Sequence, residues 1–298
     1  MAAAALAGLM LGGRRLMAAG ARAEPLRFGL ITDIHYGDAL PRDRRYFRES
    51  LAKAREAVAC FRDERARFVA ELGDLLKDTP PADHESQARS LAELEAIERE
   101  LQRFGGPVYH VLGNHDLDNL SKAQVLAHLT NAGVPPGQSH YGFAQGGIRF
   151  LVLDEEFRHD GRPYDHGNYD WREYNVPPPE LEWLRRELAS DAGPVIVLTH
   201  QPLDGREVPA RDNRSEVRAV LEESGQVLAV FQGHHHPGGY SFINGIHYYT
   251  LIAAVEGSGP ENNAYAIVEG HADRGLTVHG FRRAVSMDLP AHAPGRRI

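Results

Sequence analysis

Short apolar runs alternate with amphipathic segments over most of the chain. The run LRFGLITDIH, which starts at Leu26, predicts a buried strand that breaks into a polar turn, and RFVAELGD (67–74) and PVYHVLGNHD (107–116) predict two further strands. Between them, residues 43–65 and 84–104 carry apolar side chains at three- and four-residue spacing, which predicts two amphipathic helices. The first part of the chain therefore predicts strands and helices in alternation.

The same alternation continues towards the C-terminus. Asn213 precedes Glu216 by three residues, the spacing of a capping box at a helix start. Strands that alternate with helices, followed by several late strands, predict a layered α/β fold. The further predicted strands are 148–156, 194–200, 227–236 and segments around 246–252, 263–269 and 275–282, and the further predicted helices are 121–131, 180–190 and 214–223.

The N-terminal segment predicts export. The apolar run MAAAALAGLMLGG is too short to span a bilayer, and Ala21-Arg22-Ala23 has the form of a cleavage site. We expect residues 1–23 to be an export signal, with an Ala-rich disordered extension as the alternative. The mature protein would begin near Glu24 as one domain, 24–298, in the periplasm or outside the cell. A cytoplasmic location is the alternative, and no stable membrane insertion is expected.

Composition narrows the classes of partner. The chain has 298 residues, 42% hydrophobic and 25% charged, with a net charge of −8. This acidic balance disfavours binding to nucleic acid backbones. The one cysteine, Cys60, excludes both an intramolecular disulfide and a cysteine metal cluster. The oligomeric state stays open.

Five predicted strands end in side chains that can bind metal ions. In an α/β sheet the carboxyl ends of the strands form the binding crevice, so these residues are expected to meet there. No lysine or arginine stands among them. They are Asp33 and His35, Asp74, Asn114 with His115 and Asp116, His200, and His234, His235 and His236.

Carboxylates and imidazoles packed together need a cation between them. Mixed nitrogen and oxygen ligands suit Mn, Fe, Co or Zn better than Mg or Ca. The set exceeds the needs of one ion, so we expect two divalent ions about 3.5–4 Å apart. The candidate ligands are Asp33, His35, Asp74, Asn114, His200, His234 and His236.

Each of these residues taken alone has a more ordinary explanation. A single histidine is more often a surface or core residue, Asp33 or Asn114 could cap a helix, and Gly73-Asp74 is a common turn dipeptide. Five such elements in sequence order, each at a strand end, outweigh those explanations. Motifs of the forms GxxxxGK[ST], GxSxG and HExxH are absent.

The triple histidine poses a question of direction. Alternate side chains of an extended segment point to the same side. If residues 227–236 are extended to their end, His234 and His236 face the metals together and His235 packs elsewhere.

The motif order D-x-H, GD, GNHD, TH and GHxH resembles the calcineurin-like metallophosphoesterases, from about Phe28 to Phe281. The resemblance implies a four-layer α/β/β/α sandwich of two mixed sheets. It also implies a phosphate contact for His115, which would assist the leaving group. We take His115 and Asp116 as candidate catalytic residues, and Asn114 and His115 as candidate substrate contacts. The implied ligands are Asp33, His35 and His236 for one metal, Asn114, His200 and His234 for the other, and Asp74 as the bridge.

The C-terminal half resembles the manganese-dependent ADP-ribose/CDP-alcohol diphosphatase branch. The resemblance rests on ELEWLRREL, PVIVLTHQPLD, VLAVFQGHHHPGGY, IHYYTLIAAVEGSG and NAYAIVEG. The chain departs from the branch at His35, where the branch usually has glutamine. We expect in-line attack by a metal-bridging hydroxide on a small phosphorylated substrate, such as a nucleoside-diphosphate-linked molecule. Manganese is the first choice of metal, with iron, zinc or cobalt as alternatives. Alternative functions are a phosphomonoesterase or phosphodiesterase on other esters, a nuclease, and a non-catalytic metal-bound interaction module.

A long polar and aromatic loop, 157–179, has no clear periodicity. Loops of this length in compact domains are usually functional or disordered, and the aromatic residues argue against disorder. Tyr164, Tyr169 and Trp171 could stack on a nucleobase, or they could only pack the loop against the domain. Arg158 or Arg162 could meet a second phosphate, and Asn262 and Asn263 could line the same pocket.

Overall fold

The structure is a computed structural model that describes residues 25–79, 87–205 and 212–291. The predicted export segment, 1–23, lies outside the described residues, so both the export prediction and the domain boundary stay predictions. None of the helices in the described ranges is long and apolar enough to cross a membrane.

Up to residue 232 strands and helices alternate except for one hairpin at 141–152, and the chain then continues mainly as strands. Short 3-10 turns lie at Phe47–Glu49, His115–Leu117 and Pro260–Asn262. The helices are α1 (Ser50–Asp63), α2 (Gln87–Gln102), α3 (Lys122–His128), α4 (Pro178–Ser190) and α5 (Arg214–Ser224). The strands are β1 (Leu26–Ile31), β2 (Val69–Glu71), β3 (Val108–His110), β4 (Tyr141–Gln145), β5 (Ile148–Val152), β6 (Val195–Leu198), β7 (Val227–Gln232), β8 (Gly239–Ile243), β9 (Ile246–Thr250), β10 (Ala264–Gly270), β11 (Leu276–Arg282) and β12 (Met287–Leu289).

The strands form two mixed sheets. One has the order β12-β11-β10-β1-β2-β3 and the other the order β4-β5-β6-β7-β9-β8. Strands β1, β2 and β3 run parallel, as do β5, β6, β7 and β9. The remaining pairs, β1–β10, β10–β11, β11–β12, β4–β5 and β8–β9, are antiparallel. Because parallel strands share a carboxyl end, each sheet brings several strand-end loops to the same edge.

The two sheets pack face to face through an aromatic core. Phe28 stacks on Phe68, the residue before β2, at 4.9 Å between ring centroids and meets Phe150 of the other sheet edge-on at 5.3 Å. A second buried cluster joins the first sheet to α1, α2 and α3, and a third joins the second sheet to α4 and α5. These four layers confirm the predicted α/β/β/α sandwich.

Several predicted element boundaries differ from the structure. The segments 67–74, 107–116 and 227–236 were expected to be extended to their ends, but the strands stop at Glu71, His110 and Gln232. Each of these strands leads directly into a turn, and the ligand-type residues lie on these turns. The short strands β4, β8 and β12 were not predicted.

The predicted capping box at Asn213 is wrong. Asn213 does precede the first residue of α5, but its side chain makes no cap hydrogen bond. Instead its amide accepts from Val176 N–H at 3.0 Å and donates to Val176 O at 2.8 Å, which ties α5 to the loop before α4. The reciprocal pair of a capping box occurs at the start of α3, between Ser121 and Gln124.

Candidate metal centre

Left-handed backbone conformations direct the strand-end residues towards one point. Asp33, His35, Asp74 and His234 have φ values of 49°, 46°, 60° and 63°. Such values are uncommon outside glycine and cost conformational energy, so the surrounding structure must hold them. Gly113 permits the close approach of two of these turns, because a Cβ there would lie 2.1 Å from the backbone nitrogen of Asp74. This glycine is therefore required by sterics.

Asp33, His35 and His236 form the first ligand group. One donor atom of each lies within 4.8 Å of the others. The Nε2 atoms of His35 and His236 face each other at 3.2 Å, and Asp33 Oδ1 lies 3.5 Å from His236 Nε2. Asp33 Oδ1 is buried and has no hydrogen-bond partner. Three lone-pair donors thus converge on one place.

Asp74, His200 and His234 form the second ligand group, with the same 4.8 Å limit between donor atoms. Asn114 Oδ1 lies 2.9 Å from His234 Nδ1 and 3.2 Å from His200 Nε2, so the amide belongs to this group. Asp74 Oδ2 lies 3.3 Å from His200 Nε2 and 3.5 Å from His35 Nε2. This one carboxylate oxygen faces both groups, as a bridging ligand must.

The charge balance of these donors fits metal ions. Burial lowers the pKa of His35 to about 4 despite Asp33 and Asp74 nearby, so its imidazole is neutral and keeps a lone pair for an ion. Burial also opposes a charge on His200, but Asp74 outweighs it and holds the pKa of His200 well above its usual range. A divalent ion bound here would offset the charge of Asp74 in the same way, and its binding would be coupled to loss of protons from the ligands.

The donor set of imidazoles, carboxylates and one amide suits transition-metal ions. The seven predicted ligand residues all lie in the two groups or beside them, so the centre fits two divalent ions.

Hydrogen bonds to the far side of the His200 and His236 imidazoles fix their orientation. His200 Nδ1 lies 2.7 Å from the carbonyl oxygen of Leu72, and His236 Nδ1 lies 2.8 Å from Glu256 Oε1. These contacts leave the opposite ring nitrogen, Nε2, for the metal. Hydrogen bonding to His236, aided by Arg44, lowers the pKa of Glu256 to about 2 although burial opposes this shift. No sequence pattern indicates Glu256, because its role depends on contact with a residue 20 positions earlier.

His115 lies beside both ligand groups without belonging to either. Its backbone N–H donates to Asp74 Oδ1 at 2.8 Å, and its ring lies 5.3 Å from that of His35. Nδ1 lies 2.8 Å from Asp118 Oδ2, so Nε2 is the nitrogen available to a substrate. Burial lowers the pKa of His115, but the charges of Asp118 and Asp74 outweigh it and raise the pKa. The imidazole can therefore carry a proton to a leaving oxygen.

The sequence of this chain matches a known protein family. Residues 26–238 match the family model described as calcineurin-like phosphoesterase. The chain belongs to the calcineurin-like phosphoesterase family. It is a metal-dependent phosphate hydrolase.

Relatives within this phosphoesterase family match almost the full chain. Proteins named manganese-dependent ADP-ribose/CDP-alcohol diphosphatase from Oryza sativa subsp. japonica and Arabidopsis thaliana are 29% and 28% identical to it. The matches cover 88% and 92% of this chain, and 93% and 99% of the relatives. The crystal structure of a dimetal phosphatase from Danio rerio aligns with a TM-score of 0.75 and 25% identity. That alignment covers 90% of this chain and 100% of the other.

The Asp116 carboxylate accepts three backbone N–H groups of neighbouring turns. Its Oδ2 accepts backbone N–H groups from Gly113 at 2.9 Å and Asp74 at 3.2 Å, and its Oδ1 accepts from Leu76 at 3.1 Å. The side chain is buried, and burial with the charges of Asp74 and Glu71 raises its pKa to about 7. Asp116 thus fixes the turns that carry Asp74 and Asn114. These contacts give Asp116 a positioning role, and its predicted catalytic role stays a prediction.

The triple histidine is a turn, not the extended segment that was expected. His235 N–H donates to Gly233 O at 2.7 Å, and Gly238 N–H donates to His235 O at 2.8 Å. The left-handed conformation at His234 separates its side chain from that of His236, and the two serve different ligand groups. His235 belongs to neither group. The geometric premise was wrong, although the structure still separates His235 from its two neighbours as predicted.

The loop 157–179 contributes packing and one exposed aromatic ring. Tyr164 is buried and stacks on Tyr169 at 4.1 Å between ring centroids. These two rings therefore pack the loop and are not available to stack on a nucleobase. The Tyr169 hydroxyl lies 2.5 Å from Asn114 O and also contacts Asp118 Oδ1. Trp171 is 49% exposed, with its ring 5.8 Å from that of His234. Of the three aromatic residues, Trp171 is placed to meet a substrate.

The other polar candidates have structural contacts. Arg158 lies 3.3 Å and Arg162 3.9 Å from Asp160 Oδ2, within their own loop. Asn263 is fully buried and donates to Lys53 O in α1 at 2.9 Å, so the prediction that it lines the pocket is wrong. Asn262 donates to Ser258 O at 2.7 Å.

Proposed function

We propose that this phosphoesterase is a manganese-dependent diphosphatase that cleaves the phosphoanhydride bond of nucleoside-diphosphate-linked small molecules. The observation that carries the proposal is Asp74 Oδ2, which faces both ligand groups while His115 lies beside them. The names of the Oryza and Arabidopsis relatives, which match most of the chain, support both the metal and the substrate class.

Two divalent ions at this centre would lower the pKa of a water molecule and stabilise the charge that develops at phosphorus. The chain's own residues complete the site. Asp118 holds the His115 ring so that Nε2 faces outwards, and a protonated Nε2 can donate to the leaving oxygen. The backbone N–H of His115 donates to the Asp74 carboxylate, and the Asp116 carboxylate accepts the backbone N–H of Asp74. Because these bonds fix Asp74, the centre needs little reorganisation during the reaction.

Side chains around the centre suit a diphosphate attached to an organic group. Arg44 Nε lies 2.8 Å from Glu256, the residue that orients His236, and the Arg44 side chain is 70% exposed. Arg45 is near enough to lower the pKa of His115. These two arginines offer charge-assisted contacts for a second phosphate, and the exposed ring of Trp171 offers a surface for a base.

Product analysis over a substrate panel tests the proposal. The manganese-loaded protein would be given ADP-ribose, a CDP-alcohol, a cyclic nucleotide and a simple phosphomonoester. We expect the first two to give a nucleoside monophosphate and a second phosphate ester, at rates well above any release of inorganic phosphate from the monoester. An Asp74→Asn variant serves as the control for contaminating hydrolases. Faster cleavage of the monoester or the cyclic nucleotide would instead favour the phosphomonoesterase or phosphodiesterase alternative.

We also propose that the protein is exported and that it binds no nucleic acid. The first proposal rests on the apolar run before Ala21-Arg22-Ala23, and sequencing of the mature N-terminus in the native host tests it. The second rests on the net charge of −8, and a salt-dependent DNA-binding assay tests it. An intact Met1 on cytosolic protein, or DNA binding that weakens with salt, would contradict the respective proposal.

A further inference from the structure

A cluster of buried charges lies beneath the metal centre. Glu71 at the end of β2 pairs in register with His110 at the end of β3, and Glu98 of α2 approaches the same imidazole. The three residues are 0%, 2% and 7% exposed. Charged groups are seldom buried to this degree unless they are paired, and removing them from water costs free energy even then. The presence of three such groups here therefore needs an explanation.

His110 carries the positive charge of this cluster. Its Nδ1 lies 3.3 Å from Glu71 Oε2, and its Nε2 lies 3.1 Å from Glu98 Oε2. Burial lowers the pKa of His110, but the two carboxylates outweigh burial and raise it to about 10. At neutral pH the ring is an imidazolium held between two carboxylates. Removal of either carboxylate therefore leaves a buried charge with less compensation.

The second oxygen of Glu71 reaches the metal centre through the backbone. Glu71 Oε1 accepts the N–H of Gly73 at 2.7 Å, and Gly73 has a φ of 96°. The carbonyl of Gly73 accepts the N–H of Asp33 at 3.0 Å, and the carbonyl of Asp74 accepts the N–H of His35 at 2.9 Å. The turn held by Glu71 thus carries the bridging carboxylate and anchors both ligands that follow β1.

We infer that Glu71 is a positioning residue for the metal centre, fixed by His110 and Glu98 and acting through its hydrogen bond to Gly73. The inference concerns metal affinity, so it does not depend on which phosphate compound is the substrate. Loss of groups that orient metal ligands typically costs about 10–100-fold in metal affinity or activity. Glu98 provides the matched control, since it contacts the same imidazole but not the Gly73 turn.

Glu71→Asp tests the inference most directly. The shortened side chain keeps its charge but cannot reach both Gly73 N–H and His110. We expect the dissociation constant for Mn²⁺, measured by electron paramagnetic resonance of the free ion, to rise about tenfold or more. At saturating Mn²⁺, kcat should recover while KM for the substrate stays unchanged. Glu98→Gln should lower the melting temperature as much as Glu71→Asp does. It should nevertheless bind Mn²⁺ within about twofold of the wild type.

Glu71→Gln separates the hydrogen bond from the charge and serves if Glu71→Asp does not fold. The amide oxygen can still accept Gly73 N–H, so we expect Mn²⁺ affinity within about threefold of the wild type despite lower thermal stability. Two results would overturn the inference. One is wild-type Mn²⁺ affinity in Glu71→Asp together with the stability loss of Glu98→Gln, which would make the cluster purely structural. The other is a tenfold loss of affinity in Glu71→Gln, which would show that charge and not the hydrogen bond matters.

Discussion

Replacement of His115 by alanine should leave both metal ions bound and lower kcat by about 10²–10⁴-fold. The imidazole contributes no donor atom to either ligand group, and its Nδ1 is held by Asp118. The contact that His115 makes with Asp74 is through its backbone N–H, which alanine retains. Metal content and kcat would be measured on the same preparation.

His128→Ala is the matched control for this variant. His128 ends α3 and bonds to the carbonyl of Gln124, so its loss should change neither metal content nor kcat. If His115→Ala loses metal in proportion to its activity, His115 is a ligand and its assignment as a proton donor is wrong.

His234→Ala and His236→Ala should each release metal and abolish activity. Each substitution removes one of the converging donors, and the two affect different ligand groups. His234→Ala should weaken the site shared with Asp74 and His200, and His236→Ala the site shared with Asp33 and His35. Metal titration of each variant would show which ion is lost. The group that keeps all its donors should still bind its ion in each variant.

His235→Ala is the internal control for the two ligand variants. His235 lies in the same turn and belongs to neither group, so this variant should keep most of its metal and activity. A loss of metal from His235→Ala as large as that from its neighbours would mean that the turn at 233–238 presents different side chains to the ions.

The sequence predicts most of the strands and the clustering of the ligand-type residues, because both depend on local pattern. Apolar runs place β1, β6 and β7, and a parallel sheet necessarily collects the residues that follow its strands at one edge. Motif order alone therefore found Asp33, Asp74 and His200. Where the strands end was harder to predict, because the left-handed turns at Asp74 and His234 are held by contacts with distant loops.

The residues around the ligands could not be predicted from spacing. Glu256, Asp118 and Tyr169 orient His236, His115 and the Asn114 turn through contacts that only the folded chain creates. Aromatic residues in the long loop were ambiguous for the same reason. Tyr164 is buried and Tyr169 stacks on it, whereas Trp171 is exposed, and nothing in the loop's composition distinguishes the three.

Metal stoichiometry tests the central claim most directly. The wild-type protein and Asp74→Asn would be loaded with Mn²⁺, freed of excess ion and measured by elemental analysis, with hydrolysis assayed on the same samples. A dinuclear centre predicts two ions per wild-type chain, and fewer ions with little activity in Asp74→Asn, because one carboxylate oxygen faces both groups. A wild-type protein that is fully active with a single ion would contradict the dinuclear mechanism.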